Sequence, residues 1–295
     1  MTAVARFRPR RSCLYVPGDK ARALEKATSL PADVVIMDLE DAVAPDAKAD
    51  ARRAILNALA DRAYGAREVV IRVNGFETEW GQDDLATAAS AGVDGVLVPK
   101  ITSGKDVRAI DRFLRDLGAS PDMGLWAMIE MPLAILNIKK IAKASVKTRL
   151  SGFVMGTNDL AKEIHAVWAP DRLGFLFSLS AALAAARAYG LAAIDGVYND
   201  TGDDAGFAAE CEQGRVLGFD GKTLIHPAQI EAANRVFAPD EAELSHAKAV
   251  IEAFALPENR GKGVISVDGR MVELLHLEQA ERLLEIDDAI RQMAS

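Results

Sequence analysis

The stretch from Leu125 to Asp159, LWAMIEMPLAILNIKKIAKASVKTRLSGFVMGTND, decides the fold. It opens on a short apolar run, Leu125–Ile129, that ends in Glu130. It closes on a second run, Gly152–Met155, that leads into Asn158 and Asp159. Between them, Leu133–Ala144 carries helical periodicity. Pro132 keeps the first run from continuing as a central strand. The unit is strand, helix, strand, with a carboxylate just beyond each strand.

The same unit recurs in both directions along the chain. Further apolar runs lie at Ser12–Val16, Val34–Met37, Val69–Val73, Gly95–Val98, Ala192–Ile194 and Thr223–Ile225. They run into Gly18-Asp19-Lys20, Glu40-Asp41, Asn74, Lys100, Tyr198-Asn199-Asp200 and His226-Pro227. Helical segments alternate with them at Ala21–Leu30, Asp46–Leu59, Trp80–Ala91, Lys105–Leu117, Leu160–His165 with Gly174–Tyr189, and Ala205–Leu217. Such alternation builds a parallel sheet. Short continuous apolar strands suit a sheet with helices on one face and packed side chains on the other. The expected fold is an α/β (β/α)8 TIM barrel, in which distant residues converge at the C-terminal strand ends. A doubly wound open sheet is the alternative, but no G-x-G-x-x-G or Walker loop sits between a strand and a helix.

A barrel takes roughly 250 residues. We therefore assign residues 1–236 to the catalytic barrel, with 1–10 as a flexible arm, and 237–295 to a C-terminal helical lid or exchange extension without a core of its own. After a helix over Pro227–Val236, that extension reads as a turn at Ala238-Pro239-Asp240, helix Glu241–Ala255 and an extended Val264–Val267. A turn at Asp268-Gly269 and a last amphipathic helix over Val272–Arg291 follow.

The chain has 295 residues, 50% hydrophobic and 26% charged, with a net charge of −8. This is the composition of a soluble globular protein large enough to need no covalent staples, and a cytoplasmic location is expected. The negative balance argues against general nucleic-acid binding. No apolar stretch approaches the about 20 residues of a membrane span. Met1–Arg11 is arginine-rich without the apolar core of a signal peptide, which reads as a flexible arm with a short transit peptide as the alternative, and no membrane partner is expected. Cys13 and Cys211 read as free thiols.

Two hard carboxylates on consecutive strand ends, Glu130 and Asp159, suit Mg²⁺, which takes one or two protein carboxylates and leaves its other positions to water and substrate. Taken singly, Asp159 reads as a helix cap and Glu130 as half of a surface ion pair; convergence in a barrel favours the metal site. Without His or Cys beside them, zinc is not expected. Arg72 stands inside the apolar run Val69–Val73 and needs a carboxylate partner. Its planar fork suits a substrate carboxylate, or a structural pair with Glu40 or Asp41. Asp38, Glu40 and Asp41 are close enough to repel one another and call for a cation: Arg72, the metal or Lys100. Basic residues Lys20, Arg22, Lys26, Lys48, Arg52 and Arg53 gather on the first two helices, as a phosphate patch or as solvated helix faces. Lys139, Lys140, Lys143, Lys147 and Arg149 read as solvated surface. His226 is a lone histidine suited to turn packing or to general-base work.

The blocks Arg11–Gly18, Met37–Pro45, Ile71–Asn74, Phe219–Pro227 and Gly263–Val272, in this order, resemble the citrate lyase beta-subunit-like family of the HpcH/HpaI aldolase superfamily, which includes malyl-CoA and citramalyl-CoA lyases. The resemblance covers nearly the whole chain. It implies a (β/α)8 barrel, Mg²⁺ dependence and a homo-oligomer, a trimer or hexamer. By motif position it implies Glu130 and Asp159 as metal ligands and Arg72 as the residue contacting the oxo acid, with Asn158 and Asp159 binding that acid. Tyr15, Arg22, Lys26, Lys48, Arg52, Ile225 and His226 then contact the CoA moiety. The implied reaction is reversible carbon–carbon cleavage of a 3-hydroxy-dicarboxylyl-CoA to acetyl-CoA or a short acyl-CoA and a 2-oxo acid. Arg72, Glu273 and Glu40 are the expected catalytic residues. The alternatives are a malyl-CoA-type thioesterase using the same site, or a non-catalytic or complex-bound lyase subunit. The chain departs from the lyases at one position: they carry an aspartate that reaches a neighbouring subunit's site, where this chain has Glu273, with Asp268 nearby.

Overall fold

The computed structural model describes residues 7–61 and 63–294. Eight parallel strands close into a barrel in sequence order. They are β1 (Ser12–Pro17), β2 (Val34–Asp38), β3 (Glu68–Arg72), β4 (Gly95–Val98), β5 (Gly124–Ile129), β6 (Leu150–Met155), β7 (Ala192–Asp195) and β8 (Gly221–Leu224). The helices between and after them are α1 (Ala21–Ala27), α2 (Lys48–Leu59), α3 (Gly81–Ala91), α4 (Gly104–Asp116), α5 (Pro132–Leu136), α6 (Ile138–Ala142), α7 (Thr157–Ile164), α8 (Leu176–Ala188), α9 (Asp204–Leu217) and α10 (Gln229–Val236). The expected barrel and all eight strand positions are present, each shifted by no more than a few residues.

Alternate strand residues face inward. Cys13, Val34, Ile36, Val70, Leu97, Trp126, Met128, Val154 and Ile194 form one buried cluster with Tyr15 packed against it. Period-two alternation then fixes what points into the mouth one step beyond that cluster. After Ile36 comes Asp38, after Val70 comes Arg72, and after Met128 comes Glu130. Asp38 and Arg72 are direct partners in the β2–β3 register. The β5–β6 register shifts between Leu125 and Trp126, so that Ile129 comes opposite Met155. Glu130 and Gly156 are therefore neighbours. A Cβ on Gly156 would lie 2.7 Å from Glu130 Oε2, so only glycine leaves the carboxylate its place.

The segment expected as one helix over Leu133–Ala144 is two short ones, α5 and α6. Asn137 breaks it, with φ −103° and ψ 7°, and its side-chain amide donates to the Thr102 carbonyl at 3.1 Å. The break lets this layer reach the β4–α4 loop.

Two compact units divide the chain: Arg10–Asn234, and the described residues of Met1–Pro9 with Arg235–Ser295. The second contains α11 (Glu241–Ala255), the antiparallel hairpin β9 (Val264–Val267) and β10 (Arg270–Glu273), and α12 (Leu274–Ala294). It has a core of its own, contrary to expectation: Ala247, Val250, Ile265, Val267, Val272 and Ala280 are buried together. Val272 and Glu273 belong to β10 rather than to the last helix. The turn Asp268-Gly269, with φ 51° and 74°, folds them back beside β9. Residues 1–6 of the expected flexible arm lie outside the described residues. Its far end is held: Arg10 donates to both oxygens of Glu68, at 2.6 and 2.9 Å. Among the described residues, no helix is long and apolar enough to cross a membrane, and both cysteines are free and buried.

Under α9, the barrel wall buries a second ionic cluster. Arg172 and Lys222 both reach Asp195, at 2.7 and 3.2 Å, and Lys222 also reaches Glu210 at 2.6 Å. Arg172, Asp195 and Lys222 are inaccessible to solvent, or nearly so. Removing the shared anion leaves two buried cations with Glu210 as their one remaining carboxylate. Asp195→Ala should therefore lower unfolding stability by about 3–5 kcal/mol, read from urea unfolding followed by far-ultraviolet circular dichroism.

Candidate active site at the barrel mouth

A cavity of about 340 Å³ opens at the C-terminal strand ends, lined by Tyr15, Asp38, Arg72, Glu130, Thr157, Asn158, Asp159 and Ile225 among others. This is within the usual size range of small-molecule sites. Eight of the residues singled out from sequence converge here: Tyr15, Asp38, Asp41, Arg72, Glu130, Asn158, Asp159 and Ile225.

Arg72 is the hub of one half. Its Nε and Nη2 both donate to Asp38 at 2.6 Å. Its Nη1 lies 3.0 Å from Glu40 and 3.5 Å from Asp41. The guanidinium stacks over the Tyr15 ring, 4.6 Å from its centroid. The fork expected to take a substrate carboxylate is thus closed on Asp38. A buried arginine without that partner would be too costly to keep. Asp38 also accepts the Glu40 and Ala42 amides, which fixes the turn after β2. Glu40 reaches the site through Arg72. Burial pushes its carboxyl up to about 8, against the lowering effect of Arg72. Burial likewise raises the Tyr15 phenol, whose hydroxyl is buried without a hydrogen-bond partner, as is Thr157 Oγ1.

Glu130 and Asp159 form the other half, and one cation bridges them. Lys100 Nζ lies 2.8 Å from Asp159 Oδ1 and 3.5 Å from Glu130 Oε1. Burial raises Glu130 to about 7, opposed by the Lys100 charge. Burial also acts to raise Asp159, but the Lys100 hydrogen bond and charge outweigh it and hold the carboxyl below its ordinary value. Among the described residues, no group of three or more His, Cys, Asp and Glu side chains is placed to hold a metal. The pair nevertheless fits Mg²⁺: two hard oxygen donors converge on one positive charge, and this ion needs no more from a protein. Asn158 exchanges amide hydrogen bonds with Asn199, at 3.1 and 2.7 Å.

The basic residues divide. Arg22 and Lys26 are exposed on α1. Lys48 and Arg52, expected at the CoA moiety, are turned inward instead. Lys48 Nζ donates to the Leu39 and Glu40 carbonyls at 2.7 Å each and to Asn74 Oδ1 at 2.9 Å. Arg52 Nη1 donates to Asp84 at 2.7 Å. Both satisfy loop carbonyls and acids that would otherwise be buried unpaired. His226 is exposed, and its Nδ1 accepts the Ala228 amide at 3.2 Å, so it packs its own turn. Glu273 ends β10 in the second unit, its N–H donating to His276 Nδ1 at 2.9 Å. Thr157 was not foreseen; its place beside Asn158-Asp159 after a strand was the available signal.

Residues 11–227 match the family described as HpcH/HpaI aldolase/citrate lyase. The chain is 50% identical over 282 residues to a (3S)-malyl-CoA thioesterase of Cereibacter sphaeroides, covering 96% of both proteins. It is 38% identical over 282 residues to citrate lyase subunit beta of Escherichia coli, covering 94% of this chain and 93% of that one. CitE from Mycobacterium tuberculosis in complex with magnesium, acetoacetate and coenzyme A superposes with a TM-score of 0.77 at 28% identity, covering 95% of this chain and 98% of that one. A citrate lyase beta subunit complexed with oxaloacetate and magnesium, from the same organism, superposes with a TM-score of 0.66 at 28% identity, covering 78% and 98%.

The raised Glu40 carboxyl has a consequence for stability. Its proton is held more tightly in the folded than in the unfolded chain, so stability falls as pH rises from its ordinary value towards about 8. Glu40→Gln removes that loss. Its melting temperature should gain on the parent by several degrees between about pH 5 and pH 8 and then level off, as read by calorimetry across that range.

Proposed function

The chain belongs to the HpcH/HpaI aldolase/citrate lyase family, and from that premise we propose that it hydrolyses the thioester of a malyl-CoA-type substrate, a hydroxy-dicarboxylic acid joined to CoA. The near-full-length 50% identity to (3S)-malyl-CoA thioesterases carries this reading. It moves the assignment from the carbon–carbon cleavage expected from sequence to hydrolysis. Water adds across the acyl carbon–sulfur bond, the acyl group leaves as a free carboxylic acid, and the CoA sulfur takes the proton.

Glu130 and Asp159 would hold Mg²⁺, which supplies Lewis-acid polarisation of a substrate oxygen. Arg72, locked by Asp38 and stacked on Tyr15, presents a fixed positive charge to oxygens that gain negative charge. Such preorganised charge costs no reorganisation during reaction. Glu40 orients Arg72. The unpartnered hydroxyls of Tyr15 and Thr157 are donors held ready for substrate oxygens. Asn158, fixed by Asn199, lines the place of the acyl chain. Arg22 and Lys26, with Ile225 and His226 at the end of β8, contact the CoA moiety, while Lys48 and Arg52 keep the loops in shape. Glu273, a carboxylate where the resembled lyases have aspartate, is assigned proton transfer from a second copy in a homo-oligomer.

Carbon–carbon lyase activity is the second reading, favoured by the 38% identity to citrate lyase subunit beta. Incubation with malyl-CoA, with and without Mg²⁺, separates the two by mass spectrometry. Malate and free CoA are expected only with Mg²⁺; glyoxylate with acetyl-CoA would overturn hydrolysis in favour of the lyase. Glu130→Gln and Arg72→Lys should each lower turnover at least about a hundredfold with the fold intact. Parental rates would remove both residues from the chemistry.

A further inference from the structure

Lys100, beside Glu130 and Asp159, is a charged residue that the proposed reaction leaves unused. It follows β4, with its backbone in the left-handed region at φ 57°, a conformation that a residue with a side chain rarely adopts. From there it meets the carboxylate pair by two routes. Its backbone N–H donates to Glu130 Oε1 at 2.7 Å. Its ammonium lies 2.8 Å from Asp159 and 3.5 Å from Glu130. The left-handed turn brings the amide and the side chain of one residue to the same pair.

We infer that Lys100 is the positioning residue of the proposed metal site: its amide fixes Glu130, and its ammonium holds both carboxylates as a counter-ion that a divalent cation displaces. This rests on the assignment of Glu130 and Asp159 as Mg²⁺ ligands. Two carboxylates beside each other at a partly buried mouth repel, and a single positive charge between them keeps them converging. A dication brings two charges to the same oxygens, and an ammonium left among them would repel it. The Lys100 side chain is 43% exposed, so solvent is open to it. The backbone tie to Glu130 needs no change when the ammonium departs. The site is thus preformed without its metal, and metal affinity is set by exchange rather than by assembly.

Calorimetric titration of the full chain with MgCl₂ tests this, with Mn²⁺ paramagnetic resonance as a second readout. Lys100→Met keeps the amide and removes the counter-ion, so it should bind at least about tenfold more tightly than the parent. Lys100→Arg keeps the charge and should bind no more tightly than the parent. Equal or weaker binding by Lys100→Met overturns the inference, as does tightening in Lys100→Arg. If Lys100→Met does not fold, a crystal structure of the parent with Mg²⁺ decides. Nζ beyond hydrogen-bond distance of both carboxylates supports displacement, and Nζ still between them overturns it. A parent that binds no Mg²⁺ overturns the ligand assignment as well. A parent that binds, beside a Lys100→Met that binds no tighter, overturns the role of Lys100 alone.

Discussion

Everything at the mouth depends on β8 closing against β1. The ladder Ser12–Lys222, Cys13–Thr223 and Leu14–Leu224 joins the last strand to the first. In an open sheet these two strands would be opposite edges, and Tyr15 and Ile225 would lie far apart. Closed, they line one cavity. The closure is tight: a Cβ on Gly221 would collide with the Arg10 carbonyl, so a residue without a side chain is required. Arg10 is itself fixed, paired with Glu68 on β3 and lying over the Trp126 ring on β5, 5.0 Å from its centroid. The entry to the first strand is therefore braced against two others.

Closure concentrates charge, and the mouth settles it with two cations of different kinds. Arg72 serves Asp38, Glu40 and Asp41 with a rigid fork from inside the barrel. Lys100 serves Glu130 and Asp159 with a flexible ammonium from the rim. The guanidinium is buried, stacked and weakly hydrated, which suits a permanent structural charge. The ammonium is a compact, well-hydrated point charge on a mobile stem, which suits one that gives way. Environment then separates like groups: burial raises Glu40 and Glu130, while Lys100 holds the more open Asp159 down. Carboxylates of one chemical type end up in different protonation ranges through position alone.

The strands and their order were legible because most of the apolar runs stop at a charged or turn-forming residue in the same relative place. Convergence of Arg72, Glu130 and Asp159 followed from that regularity and from inward alternation. Side-chain commitments were not legible. Lys48 and Arg52 have the same composition and helical setting as Arg22 and Lys26, yet the first two are used up by Leu39, Glu40, Asn74 and Asp84. Only loop geometry decides which lysine meets a carbonyl. The hairpin was hidden for another reason: Arg270–Glu273 merges without a break into the apolar periodicity of the final helix. Its Asp268-Gly269 turn marked where the chain folds back, but nothing local marked where the strand ends. Asn137 hid its break in the same way, by sitting within a stretch whose helical periodicity continues on both sides.

Arg72 also shows how the structure bears on chemistry. An arginine free to rotate can clamp a carboxylate and select substrates by bidentate fit. Here Asp38 already occupies the fork, so in the proposed reaction the residue serves as a fixed field rather than a clamp. A fixed field helps any step in which a substrate oxygen gains charge, including addition of water to a thioester and scission of a neighbouring carbon–carbon bond. The choice between those outcomes therefore belongs to the groups that deliver water and move protons. Under the proposed function Glu273 is one of those groups, one methylene longer than the aspartate of the lyases that the chain resembles. Such a displacement, of about 1 Å, is of the size that changes a rate by orders of magnitude. On the proposed assignment, one barrel mouth can serve hydrolysis or carbon–carbon cleavage according to how its proton-moving group is placed.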